Sequence, residues 1–353
     1  MLVVLIVGHE FGHFIVAKLS GMKVPEFGLG FPPKLWGKKV GDTEYTINAL
    51  PFGGFVRIEG EDAREASGDP AAFSNRPKLL QAATLVAGPG ANFILAFLFL
   101  SAAFMAGVPA SLEDGDSRVV DPYVVIAEVM SGSPAHEAGL MPGDRVLSIQ
   151  AHLSAFPVLT PEDVSTTIAE SEGPVILEVS RGGERVTIEA TPERGLIEEE
   201  PDRQALGIAS ALVGTLRLNP IDATVAGFNE TISKTQAVFG GIIGLVASAV
   251  TLSADVENIA GPVGIATLTG DAARFGVGSL LSFAAVISIN LAILNLLPFP
   301  ALDGGRLAFL AVETVTRRPI PHVVANTVNF VGFALLILLM LAVTANDIFK
   351  LLA

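Results

Sequence analysis

Four stretches of this 353-residue chain stay apolar for long enough to cross a lipid bilayer, and the first of them carries a carboxylate beside two histidines. The stretches are Leu2–Leu19, Leu79–Val108, Ser279–Leu297 and Val328–Ala345. A hydrocarbon core takes about 20 helical residues to span. Half of all residues are apolar and only 16% are charged, against about a quarter charged in ordinary soluble domains. The pattern predicts a multi-pass α-helical membrane protein with about four transmembrane helices. A fifth run, Val238–Leu252, follows Glu230 and Lys234 and precedes Asp255 and Glu257. Its short length suits a helix lying in the membrane interface better than a span. A net charge of −14 excludes a general nucleic-acid binder, and the lack of cysteine excludes disulfides, thiolate zinc sites and thiol catalysis together.

Basic residues orient the spans. Lys18, Lys23, Arg76 and Lys78 flank the first loop, and Arg306, Arg317 and Arg318 follow the third span. The positive-inside rule therefore puts both loops in the cytoplasm. Between Pro109 and Ala223 there are seven Lys and Arg against twenty Asp and Glu, which places that region, and both termini, outside. The expected organisation is a membrane core at 1–108, an external region at 109–223, an interfacial amphipathic region at 224–278, and the rest of the core at 279–353. The N-terminal run lacks the basic flank and cleavage pattern of a signal peptide.

The order His9-Glu10-Phe11-Gly12-His13 sits in the first apolar run. A charged carboxylate at mid-span costs about 2.5–3.5 kcal/mol on insertion scales, so its presence calls for a function. Residues four apart share a helix face, so both imidazoles can bind one zinc. Glu10 beside them can take a proton from a zinc-bound water. Catalytic zinc usually has three protein ligands. His136 and His152 fall in the external acidic region and His322 in a loop. Asp303 is better placed, in Asn295-Leu296-Leu297-Pro298-Phe299-Pro300-Ala301-Leu302-Asp303-Gly304-Gly305. Two prolines there break the third span, and broken backbone at membrane depth belongs where it is buried in protein or lines a wet cavity. An ordinary helix end with Asp303 in a turn is the plainer reading. Asn295 either hydrogen-bonds a substrate peptide or caps the break.

Two segments read as β structure. Residues 24–58 hold two glycine-bearing stretches with alternating apolar residues, and predict a membrane-associated β-hairpin. Its Gly28-Leu29-Gly30-Phe31 stretch is expected to offer an edge to an unwound substrate strand. A plain cytoplasmic loop is the alternative. Residues 119–192 predict a compact β-rich module with a strand at Val124–Val129, a helix near Pro161–Ser171, and strands at Val175–Ser180 and Arg185–Ala190 joined by Gly182-Gly183. Its Gly132-Ser133-Pro134-Ala135, Ala138-Gly139-Leu140 and Pro142-Gly143-Asp144 resemble a PDZ domain of the bacterial protease-associated kind. Gln150-Ala151 departs from that pattern, and no glycine-rich carboxylate loop precedes Val124. Peptide capture and a steric filter over the membrane site both remain open.

Together these pieces resemble the site-2 protease family of intramembrane zinc metalloproteases, of the RseP type, over nearly the whole chain. The resemblance rests on His9 to His13, Asn295 to Gly305, Gly28 to Phe31, Pro51 to Arg57, Gly88-Pro89-Gly90-Ala91-Asn92-Phe93 and Gly261-Pro262-Val263-Gly264-Ile265-Ala266. It implies Zn2+ on His9, His13 and Asp303, and Glu10 as general base. It also implies substrate binding by Asn295, Gly28, Leu29, Gly30 and Phe31. The substrate would be a single-span membrane protein already trimmed outside, such as an anti-sigma factor, or a remnant signal peptide. The protein would sit in a bacterial inner membrane, with the PDZ domain outside and the active site near the cytoplasmic side. Eight residues precede His9, fewer than the resemblance leads one to expect. A membrane zinc carrier and a catalytically dead scaffold are the rival functions, and neither has use for Glu10.

Overall fold

A computed structural model describes residues 1–61, 68–112, 118–151, 154–158, 160–197, 200–250 and 261–352. The chain divides into two compact units: Met1–Ser101 with Thr224–Leu268 and Leu281–Ala353, and Ala102–Ala223 with Thr269–Leu280. In chain order the elements are α1 (Leu2–Leu19), β1 (Glu26–Val40), β2 (Thr43–Arg57), α2 (Lys78–Ala106), β3 (Val108–Ser111), β4 (Val119–Val129), α3 (Pro134–Glu137), β5 (Arg145–Ala151), β6 (Ser154–Pro157), α4 (Pro161–Ala169), β7 (Val175–Arg181), β8 (Glu184–Ala190), β9 (Ile208–Leu216), α5 (Pro220–Val250), α6 (Pro262–Arg274), α7 (Val277–Leu296), α8 (Asp303–Thr316) and α9 (His322–Leu352).

Among the described residues, α1, α2, α7 and α9 are long and apolar enough to cross a membrane. At 1.5 Å per residue, an 18-residue helix such as α1 reaches about 27 Å. The fifth apolar run is the C-terminal half of the much longer α5, and its residues 251 and 252 lie outside the described residues. Helix α5 carries Ile221, Val225, Phe228, Ile232, Phe239 and Ile243 exposed at spacings of three, four and seven residues, the stripe of an amphipathic helix. Its Val238 and Ile242 pack on a cluster of Ala96, Leu100, Ala285, Ile289 and Ile293 from α2 and α7.

The first unit also holds the hairpin. Strands β1 and β2 are long and bend, so that Glu26–Leu29 faces residues 44–47 on one side and 54–57 on the other. A second cluster locks its base to the helices: Ala17 of α1, Met22, Val24, Ile58, Phe73, Leu85 of α2 and Leu310 of α8.

The second unit is built on a seven-stranded sheet in the order β3-β9-β4-β5-β7-β8, with β6 beside β5. The sheet reaches past the expected bounds of 119–192, because β9 pairs with β4 along nearly its whole length. Alternation puts Val124, Ile126, Val146, Ile149, Leu177 and Val179 on one side, where α4 covers them with Val164 and Ile168. Helix α4 opens on a capping box in which Thr160 and Asp163 exchange side-chain and backbone hydrogen bonds. Asp144 is almost fully buried and is held by the Arg181 guanidinium at 2.6 and 2.7 Å and by the Met141 amide at 3.0 Å.

Removing one partner of a buried ion pair strands the other, at a cost of about 3–5 kcal/mol. Arg181→Met should therefore bring proteolysis within Ala102–Ala223 to clearly lower temperature in the full-length protein. The double variant Arg181→Met, Asp144→Leu should regain much of the loss. Equal resistance of the single variant and the wild type would deny Asp144 this dependence.

Candidate metal centre

Helical spacing sets the first two donors. His9 and His13 lie one turn apart on α1, and both are buried. Their Nε2 atoms stand 3.1 Å apart. Asp303, the first residue of α8, puts Oδ2 at 3.0 Å from His9 Nε2 and 3.2 Å from His13 Nε2. A tetrahedral zinc with bonds of about 2.0–2.1 Å separates neighbouring donors by about 3.3–3.4 Å. The three measured edges come within a few tenths of an ångström of that. Among the described residues these three side chains are the one group of three or more donors close enough to share an ion. His136 lies in α3, apart from this group. His152 lies outside the described residues.

The second helix supplies what the imidazoles need on their other side. His13 Nδ1 donates to the Thr84 carbonyl at 2.7 Å, leaving Nε2 free to bind a metal. Gly88 lies one turn on, and a Cβ there would run into the His13 ring. Asn92, another turn on and fully buried, puts its amide 3.2 Å from His9 Nδ1. Its Oδ1 has no partner when Nδ2 faces the ring. Turning that amide over directs Oδ1 to a His9 Nδ1–H, the tautomer that leaves Nε2 for a metal. Ser288 of α7 donates to the Asn92 carbonyl at 2.8 Å and ties the third span to the same place. The function of Thr84, Gly88 and Asn92 was not foreseen from the sequence. Their signal is a row of small and polar residues at four-residue spacing in an apolar run.

Glu10 points toward the hairpin. Its Oε2 accepts from the Val56 backbone N–H at 3.1 Å. Gly53 and Gly54 permit this approach, since Cβ atoms there would press on Ile6, Val7 and the Gly28 carbonyl. The structure corrects the placement of the hairpin edge. The backbone at Glu26–Leu29 is flanked on both sides, so Gly28 and Leu29 are interior to the sheet, whereas Phe31 pairs on one side only, with Leu50. Among the described residues the strand facing α1 is 53–57, whose Val56 N–H turns outward to Glu10. Alternation predicted the hairpin, but which strand lies outside depends on how the long strands fold back.

Asp303 is aimed by the proline-broken turn between α7 and α8. Side chains at 304 and 305 would collide with the carbonyls of Leu297 and Phe299, so both glycines are needed for the turn to close. Asn295 lies half-buried in the last turn of α7.

Metal content of detergent-purified protein tests this arrangement. His13→Ala and Asp303→Ala should lose most of the metal. Gly88→Ala, which removes no donor atom, should also lose most of it, because its Cβ would meet His13 Nε2 and displace the ring. Full occupancy in Gly88→Ala would show that the ring has room to move.

With this geometry in hand, comparison with known proteins is informative. The sequence model of peptidase family M50 matches residues 1–339. A Clostridium perfringens protein provisionally named a zinc metalloprotease is 38% identical over 346 residues, covering 98% of this chain and 95% of its own. The zinc metalloprotease RasP of Geobacillus kaustophilus is 31% identical over 425 residues, covering 97% of this chain and 94% of its own. A provisionally named zinc metalloprotease of Nostoc is 36% identical, covering 96% and 91%. A family match across nearly the whole length, on a chain whose helices gather two histidines and an aspartate about one point, leads to one conclusion: the chain belongs to peptidase family M50.

Proposed function

We propose that this chain is an intramembrane zinc metalloendopeptidase that cleaves single-span membrane proteins within the bilayer. The observation that carries the reading is the triangle of His9 Nε2, His13 Nε2 and Asp303 Oδ2, with the Glu10 carboxylate on the next residue of the same helix. The donor set of two imidazoles and a carboxylate, with a further position open, suits catalytic zinc. His9, His13 and Asp303 would hold it. When bound, the ion would make water acidic enough to attack at neutral pH and polarise the scissile carbonyl.

The chain's own residues then move the proton. Glu10 takes it from the attacking water and delivers it to the leaving amine. The Val56 N–H holds one carboxylate oxygen and leaves the other for this exchange. Thr84 and Asn92 fix the imidazole rings so that they donate away from the centre.

Substrate must present an extended strand, because a transmembrane helix hides its amides in its own hydrogen bonds. Bare amides in lipid cost several kcal/mol each. Strand addition on the hairpin beside Glu10 would offer new partners to an unwound span. Asn295 contributes a side-chain amide near the turn that bears Asp303. By family likeness the substrates are membrane proteins trimmed beforehand on the far side, and the enzyme sits in a bacterial inner membrane with its centre toward the cytoplasm. Helix α5 lies along the interface with its apolar stripe in lipid.

The second unit is read as a single PDZ domain. A groove of about 770 Å³ runs between α4 and β9, lined by Val129, Val164, Ile168, Leu206 and Ile208 among others. Residues 208–211 of β9 pair with β4 on one side, and β3 covers only 213–216 on the other. Among the described residues, that leaves a short edge beside α4 for an extended peptide. The turn at Leu206-Gly207, with Gly207 at φ +75°, leads into this strand. It supplies the loop missing before Val124, since here the strand that follows such a loop comes last in the sequence.

Two measurements test the reading. Glu10→Gln should keep its zinc while cleavage of a transmembrane substrate falls by about 10²–10⁴-fold, the usual weight of a general base; appreciable turnover would require a different base. In a transmembrane peptide substrate, a single N-methyl group on an amide flanking the scissile bond should slow cleavage, by removing a strand-addition donor. If no position of the N-methyl group changes the rate, strand addition is wrong.

A further inference from the structure

The third donor sits on the least regular backbone of the membrane unit. His9 and His13 share a continuous helix, whereas Asp303 follows the turn Leu297–Leu302. Ala301 in that turn has φ +72°, a left-handed conformation that residues with a Cβ seldom adopt. Its N–H is not left bare: Asn329 of α9 accepts it through Oδ1 at 3.2 Å. Helix α9 also rides directly on the turn, because a side chain at Gly332 would meet Pro300.

The chain on the C-terminal side of Asp303 is held as well. Arg306, one helical turn beyond Asp303, forms an ion pair with Glu61, just past the end of β2. Glu61 is half-buried and near enough to feel the charges of His13 and Asp303. Burial pushes its carboxyl up and Arg306 pulls it down. Asn329, Glu61 and Arg306 line one cavity of about 320 Å³ with Gln81, Lys78 and Glu313. Lys78 and Glu313 form a second ion pair across it, at 2.6 Å, which joins α2 to α8.

We propose that Asn329 and the Glu61–Arg306 pair are positioning residues that clamp Asp303 through the chain on either side of it, at Ala301 and at Arg306, and so set how firmly the third ligand holds the metal. The inference rests on the metal-ligand reading given above. The histidines share one regular helix and have Thr84 and Asn92 of α2 against their rings. The aspartate has no such frame, and without the clamp Ala301 is free to relax out of the left-handed region and carry Asp303 with it. Partners that orient ligands change metal affinity by about 10–100-fold when removed.

The test is the rate at which a chelator strips zinc from the detergent-purified full-length protein, measured beside kcat and KM on a transmembrane substrate. Asn329→Ala and Glu61→Gln should load one zinc per chain in excess metal and lose it about tenfold or more faster than wild type. In both, kcat should fall more than KM changes. Ala301→Gly in the Asn329→Ala background should bring the stripping rate back toward wild type, since glycine takes a positive φ without support. That rescue separates positioning from a general loss of fold, which a glycine would worsen. Stripping rates in Asn329→Ala and Glu61→Gln equal to wild type, or no rescue by Ala301→Gly, overturn the clamp. A wild type that binds no zinc instead overturns the ligand reading on which it rests.

Discussion

Everything in the membrane unit answers to one cost, that of holding two imidazoles and two carboxylates where water is scarce. Buried polar groups without partners are expensive, and an unpaired charge is more so. Most polar atoms near the centre are accordingly assigned a place, Asn92 Oδ1 being the exception. His13 Nδ1 donates to the Thr84 carbonyl, the Asn92 amide faces His9 Nδ1, and Glu10 accepts from Val56. The three remaining atoms, two Nε2 and one Oδ2, are turned toward one another. Such a cluster is unstable alone and favourable around a cation.

Bringing those partners close depends on missing side chains. In lipid, helices gain nothing from apolar burial against each other, so they associate through close contact of small residues. Gly8 and Gly12 form a small-xxx-small pair on α1, against Leu95, Ala87 and Ala91 of α2. Gly12 and Gly88 lie on either side of this contact, and either would be blocked by a Cβ. The helix that carries the histidines is thus pressed on the helix that orients them. The same substitution of glycine for bulk lets residues 53 and 54 of the hairpin reach α1.

Regular helices cannot supply the remaining parts. On the proposed reading, a third ligand must arrive from a direction that α1 does not offer, and the base needs a partner that is not already spent in a helix. The chain meets both needs with irregular backbone, a proline-broken turn for Asp303 and an outward-facing strand for Glu10. Irregular backbone at membrane depth is tolerated where it is buried in protein. Here it is packed by Ala17, Met22, Ile58, Phe73, Leu85 and Leu310, the cluster that joins hairpin base, α1, α2 and α8. Peptide-bond chemistry in a bilayer asks for the same thing of its substrate, an extended stretch whose amides find protein partners.

The sequence alone determined the features that follow from spacing. His9 and His13 had to share a face because helices repeat every 3.6 residues. The apolar runs had to be helices because only helices and closed barrels satisfy their own amides in lipid. Asp303 was legible because prolines and paired glycines in an apolar span are costly without purpose. Tertiary structure decided what spacing does not encode. That Gly28 and Leu29 lie between two stretches of β2 depends on how two long strands fold back, which a period of two cannot tell. β9 follows β8 after a long irregular stretch yet lies beside β4, because sheet neighbours are chosen by long-range pairing. Asn92, Thr84 and Asn329 acquire their roles only when α2 and α9 come against α1 and the turn. Local pattern reports which face a residue occupies, and only packing reports what stands opposite.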